Sequence, residues 1–101
     1  MTTAPAELPK SNCLMVAAAT PLTAELRPDA GLLANHVRML FGHGCDGIAL
    51  FGTTGEGTEF SVEDRTATLD ALIAEGIAPR RMMVSVGTLA IPDTVRLAHH
   101  A

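Results

Sequence analysis

The chain has 101 residues, 48% of them apolar, with seven basic and eleven acidic side chains and a formal charge of −4. One domain at most fits that length, and an acidic balance without a basic cluster argues against a nucleic-acid partner. No apolar run approaches the roughly 18 residues that span a bilayer, so no membrane role is expected.

Residues 1–12 read as a flexible tail. Lys10 followed by Cys13–Ala19 superficially resembles a short signal peptide, but Glu7 accompanies Lys10, and the run that ends before Pro21 fits a first β-strand better. The expected location is the cytoplasm. Cys13 and Cys45 match no metal-binding or redox spacing and read as small buried residues in a reducing compartment.

After the first apolar run, Pro28-Asp29 starts a helical pattern in which Leu33, Val37, Leu40 and Phe41 share a face, and Gly42 or Gly44 ends it. A second apolar run, Gly47–Leu50, leads into glycine-rich sequence. Ser61 then caps a second helix, with Asp64 at the capping-box position, an apolar stripe of Val62, Leu69, Leu72 and Ile73, and Gly76 as its stop. A third run, Met82–Val86, precedes a helix opened by Pro92-Asp93 that reaches the last residue, Ala101. The three runs begin at Cys13, Gly47 and Met82, a repeat of about 35 residues. Each is continuous rather than alternating, as in strands covered on both faces, and the few aromatics (Phe41, Phe51 and Phe60) leave the core to aliphatics and alanine.

The order β-α-β-α-β-α with right-handed crossovers implies an α/β fold. Three such units leave strand edges and helix faces without partners, whereas a closed (β/α)₈ barrel takes about 250 residues. Residues 13–101 are therefore expected to form the N-terminal three βα units of a (β/α)₈ (TIM) barrel, cut short after the third helix.

In parallel α/β folds ligands gather at the carboxyl ends of strands. The three ends here are Thr20-Pro21, Gly52-Thr53-Thr54-Gly55 and Gly87-Thr88. Glycines let backbone approach a ligand closely, while hydroxyls and loop N–H groups donate to a carboxylate or phosphate. Two consecutive β-branched residues are poor turn formers, so Thr53-Thr54 reads as a binding element. Thr20 and Thr88 read more simply as parts of tight turns. A Walker loop would need a lysine that is absent, and the glycines stand as G-x-x-G-x-G rather than in the dinucleotide order G-x-G-x-x-G. A Rossmann-like nucleotide or phosphate site stays as the weaker alternative, together with a non-catalytic binding module.

Ala18-Ala19-Thr20-Pro21-Leu22, Gly44-Cys45-Asp46-Gly47-Ile48 and Gly52-Thr53-Thr54-Gly55-Glu56, followed by Gly87-Thr88, resemble the dihydrodipicolinate synthase and N-acetylneuraminate lyase family of (β/α)₈ aldolases. The resemblance covers about Cys13 to the end. It implies a lyase that forms a Schiff base between pyruvate, or a pyruvoyl unit of its substrate, and a lysine on a later strand, without a cofactor and as a homo-oligomer. It further implies that Thr54 holds the pyruvate carboxylate, that Thr53 joins a hydroxyl relay with tyrosines, and that Gly52 and Gly55 shape the loop around the substrate. A 4-hydroxy-tetrahydrodipicolinate synthase-like reaction is the first reading, and an N-acetylneuraminate lyase-like or other sugar-acid reaction the second.

The chain has no tyrosine, and its single lysine, Lys10, precedes the first strand. Residues 1–101 by themselves are therefore expected to be inactive. Gly57 and Phe60 also depart from the family's commoner choices after the motif. Glu56 reads as an acceptor pinning the loop's N–H groups, Asp64 and Asp93 as helix-start residues, and Arg80-Arg81 as a solvated pair. His36, His43, His99 and His100 lie on or beside helices without carboxylates at ligand spacing, so no metal is expected.

Overall fold

The computed structural model describes residues 13–101; the tail assigned to residues 1–12 lies outside them. Three short strands, β1 (Met15–Ala17), β2 (Gly47–Leu50) and β3 (Met82–Val84), form a parallel sheet in the order β1-β2-β3. Three helices alternate with them: α1 (Ala30–Gly42), α2 (Val62–Ala74) and α3 (Ile91–His100). The expected alternation is present, and the strands run parallel. The strands β1 and β3 are shorter than the apolar runs, although backbone bonds from Ala18 to Ala49 and from Ser85 to Leu50 carry contact with β2 one residue further.

The register pairs Val16 with Ile48 and Ile48 with Met82, and on the opposite side of the pleat Ala17 with Ala49 and Ala49 with Met83. Period-two alternation sends Val16, Ile48, Leu50, Met82 and Val84 towards the helices. There they join Leu33, Ala34, Val37, Leu69, Leu72 and Ile77 in one core. The other face is open: Met15 and Met83 are 40% and 58% exposed. The expectation that every strand is covered on both faces therefore fails for β1 and β3 among the described residues. The helices cover one face of the sheet and nothing described covers the other.

Local chemistry sets the helix ends. The Asp29 carboxylate accepts the Leu32 N–H at 3.0 Å and caps α1. The Ser61 hydroxyl accepts the Asp64 N–H at 3.0 Å and caps α2. The box is only half formed, because the Asp64 carboxylate turns to Arg27 at 2.7 Å instead of the Ser61 N–H. Gly44 and Gly76 follow the two helices with φ of +101° and +93°, a left-handed turn that glycine enters without a Cβ clash. Ile73 does not belong to the buried stripe of α2; it is 44% exposed, and Arg65 and Thr68 share the buried face instead.

At the amino-terminal end of the sheet Arg81 is half-buried rather than fully solvated. Its guanidinium lies 3.6 Å from the Phe41 ring centroid and donates to the Asp46 and Cys45 carbonyls at 2.9 and 3.0 Å. Carbonyls that leave a helix–strand turn would otherwise go unsatisfied, and a planar fork meets two of them at once. Arg80 is exposed as expected. Cys45 is buried, but Cys13 is exposed, which corrects the expectation of two buried thiols.

Candidate functional site

Because the strands are parallel and in close register, the chain leaves all three at the same edge of the sheet. The segments after Ala17, Leu50 and Val84 thus meet at one mouth, and these carry Thr20, Gly52–Gly55 and Gly87-Thr88. Backbone bonds tie the exits together: the Ala18 N–H donates to the Ala49 carbonyl and the Ser85 N–H to the Leu50 carbonyl, each at 2.9 Å.

Phe51 opens the central loop in a left-handed conformation, φ +59°, while its side chain is only 3% exposed. A bulky residue keeps that conformation only where its surroundings hold it there. Here the Phe60 ring meets the Phe51 ring edge-on at 6.0 Å, and the Arg65 guanidinium lies 5.5 Å from the Phe51 centroid. The glycines complete the lock. A Cβ on Gly55 would come within 2.9 Å of the Phe51 nitrogen and 3.0 Å of the Ala18 carbonyl oxygen, and one on Gly57 would collide with the Phe51 carbonyl. The loop closes on itself through Gly57 N–H to Gly52 carbonyl, 3.2 Å, and Glu56 N–H to Thr53 carbonyl, 3.1 Å.

The four hydroxyls divide into two kinds. Thr20 is buried and donates to the Gly55 carbonyl at 2.7 Å. Thr88 donates to the Ala90 carbonyl at 2.6 Å and meets the Thr94 hydroxyl at 2.7 Å. Both are spent on structure. Thr53 and Thr54 stand exposed at the loop tip, and among the described residues neither hydroxyl bonds a protein group. Two free donors on a rigid, glycine-backed loop can receive a small anion without first breaking an internal bond.

Other expected roles change. Glu56 does not pin loop N–H groups. It is exposed, sits at φ +55° and makes no side-chain capping bond. Among the described residues no cluster of metal-binding side chains occurs. His100 faces Asp70 at 2.8 Å across α3 and α2, an exposed pair rather than a ligand set.

Sequence reasoning missed Arg65. It is 2% exposed, with Nη1 donating to the Gly87 carbonyl at 2.8 Å and Nη2 to the Ser85 carbonyl at 2.7 Å. The signal was present: position 65 lies three residues after Val62 and four before Leu69, on the apolar face, and it is an arginine. A cation in the first turn of a helix also opposes the helix dipole, so another interaction must hold it there.

A family model described as the dihydrodipicolinate synthetase family matches residues 10–101. The chain belongs to that family. It is similar to enzymes with several names. It is 35% identical over 74% of its length to a 2-dehydro-3-deoxy-D-gluconate/2-dehydro-3-deoxy-phosphogluconate aldolase of Thermoproteus tenax, covering 24% of that protein. The crystal structure of dihydrodipicolinate synthase from Agrobacterium tumefaciens superposes with a TM-score of 0.75 at 37% identity, over 82% of this chain and 29% of that one. The N-acetylneuraminate lyase (sialic acid aldolase) of Aliivibrio salmonicida gives a TM-score of 0.81 at 30% identity, over 92% of this chain and 31% of that one. The chain thus spans less than a third of the length of these relatives.

Proposed function

We propose that the full-length protein is a lyase of the aldolase type that takes pyruvate, or the pyruvoyl end of a larger acid, as a Schiff base. The observation that carries this reading is the division of hydroxyls at the mouth. Thr53 and Thr54 project freely from a loop that Thr20 and two glycines hold rigid. The names of the relatives, an aldolase, a dihydrodipicolinate synthase and an N-acetylneuraminate lyase, support the same class.

In this reading the Thr54 hydroxyl and loop N–H groups receive the pyruvate carboxylate, with Gly52 and Gly55 allowing the backbone to approach. A neutral lysine amine attacks the keto carbon, water leaves, and the resulting iminium loses a proton from C3 to become the nucleophilic enamine. Thr53 passes protons because a hydroxyl both donates and accepts without holding charge. The lysine and the relay tyrosines are to be supplied from outside residues 13–101, since Lys10 precedes β1 and the chain contains no tyrosine. The open sheet face bearing Met15, Ala17, Ala49 and Met83 becomes barrel interior once the later strands close on it. Residues 13–101 then form the first three βα units of that domain, in a cytoplasmic homo-oligomer whose mass gel filtration with light scattering reads directly.

The acceptor we favour is the aldehyde of a 4-hydroxy-tetrahydrodipicolinate synthase reaction, with an N-acetyl sugar or a sugar-acid aldehyde next. Borohydride reduction in the presence of pyruvate tests the shared step. A covalent adduct on one lysine of the full-length protein is expected, and its absence at saturating pyruvate overturns the reading. A panel of the three aldehydes then sorts the acceptors.

A further inference from the structure

Arg65 is buried, yet no carboxylate among the described residues faces it. The neighbouring acids are engaged elsewhere: Glu63 meets Arg96 at 2.8 Å and Asp64 meets Arg27 at 2.7 Å, both on the exposed side of α2. The two acceptors of Arg65 are neutral backbone carbonyls, and among the described residues its Nε has no acceptor. Burial pushes its pKa below the ordinary guanidinium value, although an arginine stays charged in any protein. A charge withdrawn from water without a counter-ion is costly, and a residue serving only to fill the core would be served better by leucine. Its position gives the reason for an arginine. The fork spans Ser85 and Gly87, the exit of β3, while the same guanidinium lies against Phe51, the strained first residue of the Thr53-Thr54 loop.

We infer that Arg65 is a positioning residue that fixes the β3 exit against the glycine loop, and whose uncompensated positive charge favours a small carboxylate ligand at the mouth. This rests on the proposed pyruvate site and extends it. Thr53-Thr54 and Gly87-Thr88 become two walls of one anion site with a common brace behind them. Neutral carbonyls do not cancel the guanidinium charge, and its field falls off slowly in a low-dielectric core. Only the fork geometry holds both carbonyls at once. Lysine keeps the charge and loses the brace, while methionine keeps the bulk and loses both.

The test uses the full-length protein and its Arg65→Lys and Arg65→Met variants, with pyruvate as the probe. The Arg65→Met protein is expected to need roughly tenfold more pyruvate for half-maximal borohydride trapping, the size of one lost charge-assisted interaction. Its trapping rate at saturation should change much less, and Arg65→Lys should recover part of the affinity. Amide exchange at Ser85 and Gly87 should quicken in both variants. Should the methionine variant fail to fold, the lysine variant still decides. Unchanged half-saturation and unchanged exchange at Ser85 and Gly87 overturn the inference. If the unsubstituted protein forms no pyruvate adduct, the proposed function falls, and Arg65 is then judged on amide exchange alone: quickened exchange supports its bracing role and unaltered exchange removes it.

Discussion

The Thr20 hydroxyl donates to the Gly55 carbonyl at 2.7 Å, joining the exits of β1 and β2 across 35 residues of chain. This bond makes the Thr53-Thr54 loop part of the sheet rather than an appendage to it. Substituting Thr20 by Val keeps the shape and leaves the Gly55 carbonyl without its donor. The expected cost in the intact protein is about 1–3 kcal/mol, read by denaturant unfolding. Thr20→Ser keeps the donor and should lose far less. Equal losses from the two would place the effect in methyl packing instead.

Gly57→Ala forces a methyl group into the Phe51 carbonyl. Because that oxygen is backbone, no rotamer change relieves the clash, and either the loop or β2 must shift. A drop in melting temperature together with weakened pyruvate binding is expected. Alanine at Gly52, where a Cβ meets nothing within 4 Å, serves as the control and should leave stability near that of the parent. Crystallographic or amide-exchange comparison of the two variants localises the disturbance.

Thr54→Val removes the hydroxyl proposed to hold a carboxylate. It should raise the pyruvate concentration for half-maximal adduct formation by about tenfold, on the scale of a hydrogen bond to a charged group. Thr53→Val is expected to act differently, slowing C3 proton exchange of bound pyruvate, followed by NMR in deuterated water, more than it weakens binding. Identical effects of the two substitutions would argue against separate roles. Both side chains are exposed, so neither change should alter folding measurably.

The pH dependence of stability contains one traceable contribution. The Arg96 hydrogen bond holds the Glu63 carboxyl below its ordinary pKa. A depressed folded-state value means that the pair stabilises the protein above the ordinary carboxylate range, and that this is lost as pH falls through the folded value. Glu63→Gln should therefore melt slightly below the parent at neutral pH and coincide with it in acid. Exposure and salt screening keep the difference small, and raised ionic strength should shrink it further.

Much of the fold was legible because its signals are local. Asp29 and Ser61 bond N–H groups three residues on, and Gly44 and Gly76 occupy left-handed turns that other residues enter at a cost. The apolar runs that begin at Cys13, Gly47 and Met82 each contain one of the three strands. The Gly52–Glu56 motif carried the family resemblance, and the match over residues 10–101 agrees with it.

The long-range partners of polar groups were decided only by the tertiary structure. Asp64 could have closed its own capping box, but Arg27, 37 residues away, outcompeted the Ser61 N–H. Consecutive β-branched residues set Thr53-Thr54 apart from Thr20 and Thr88 in sequence, but the bonding partners were not legible there. Packing across 35 residues gave Thr20 the Gly55 carbonyl, whereas Thr88 takes Ala90 two residues on and Thr53 and Thr54 stay open. Arg81 read as a solvated cation and Arg65 went unread, yet each reaches backbone carbonyls far along the chain. The sequence determined where the chain turns, because turning is a local steric matter. Only the assembled sheet determined that Thr20 is spent on Gly55 and that Arg65 turns inward, because those outcomes, like the Arg27–Asp64 pair, depend on groups 20 to 37 residues apart meeting in space.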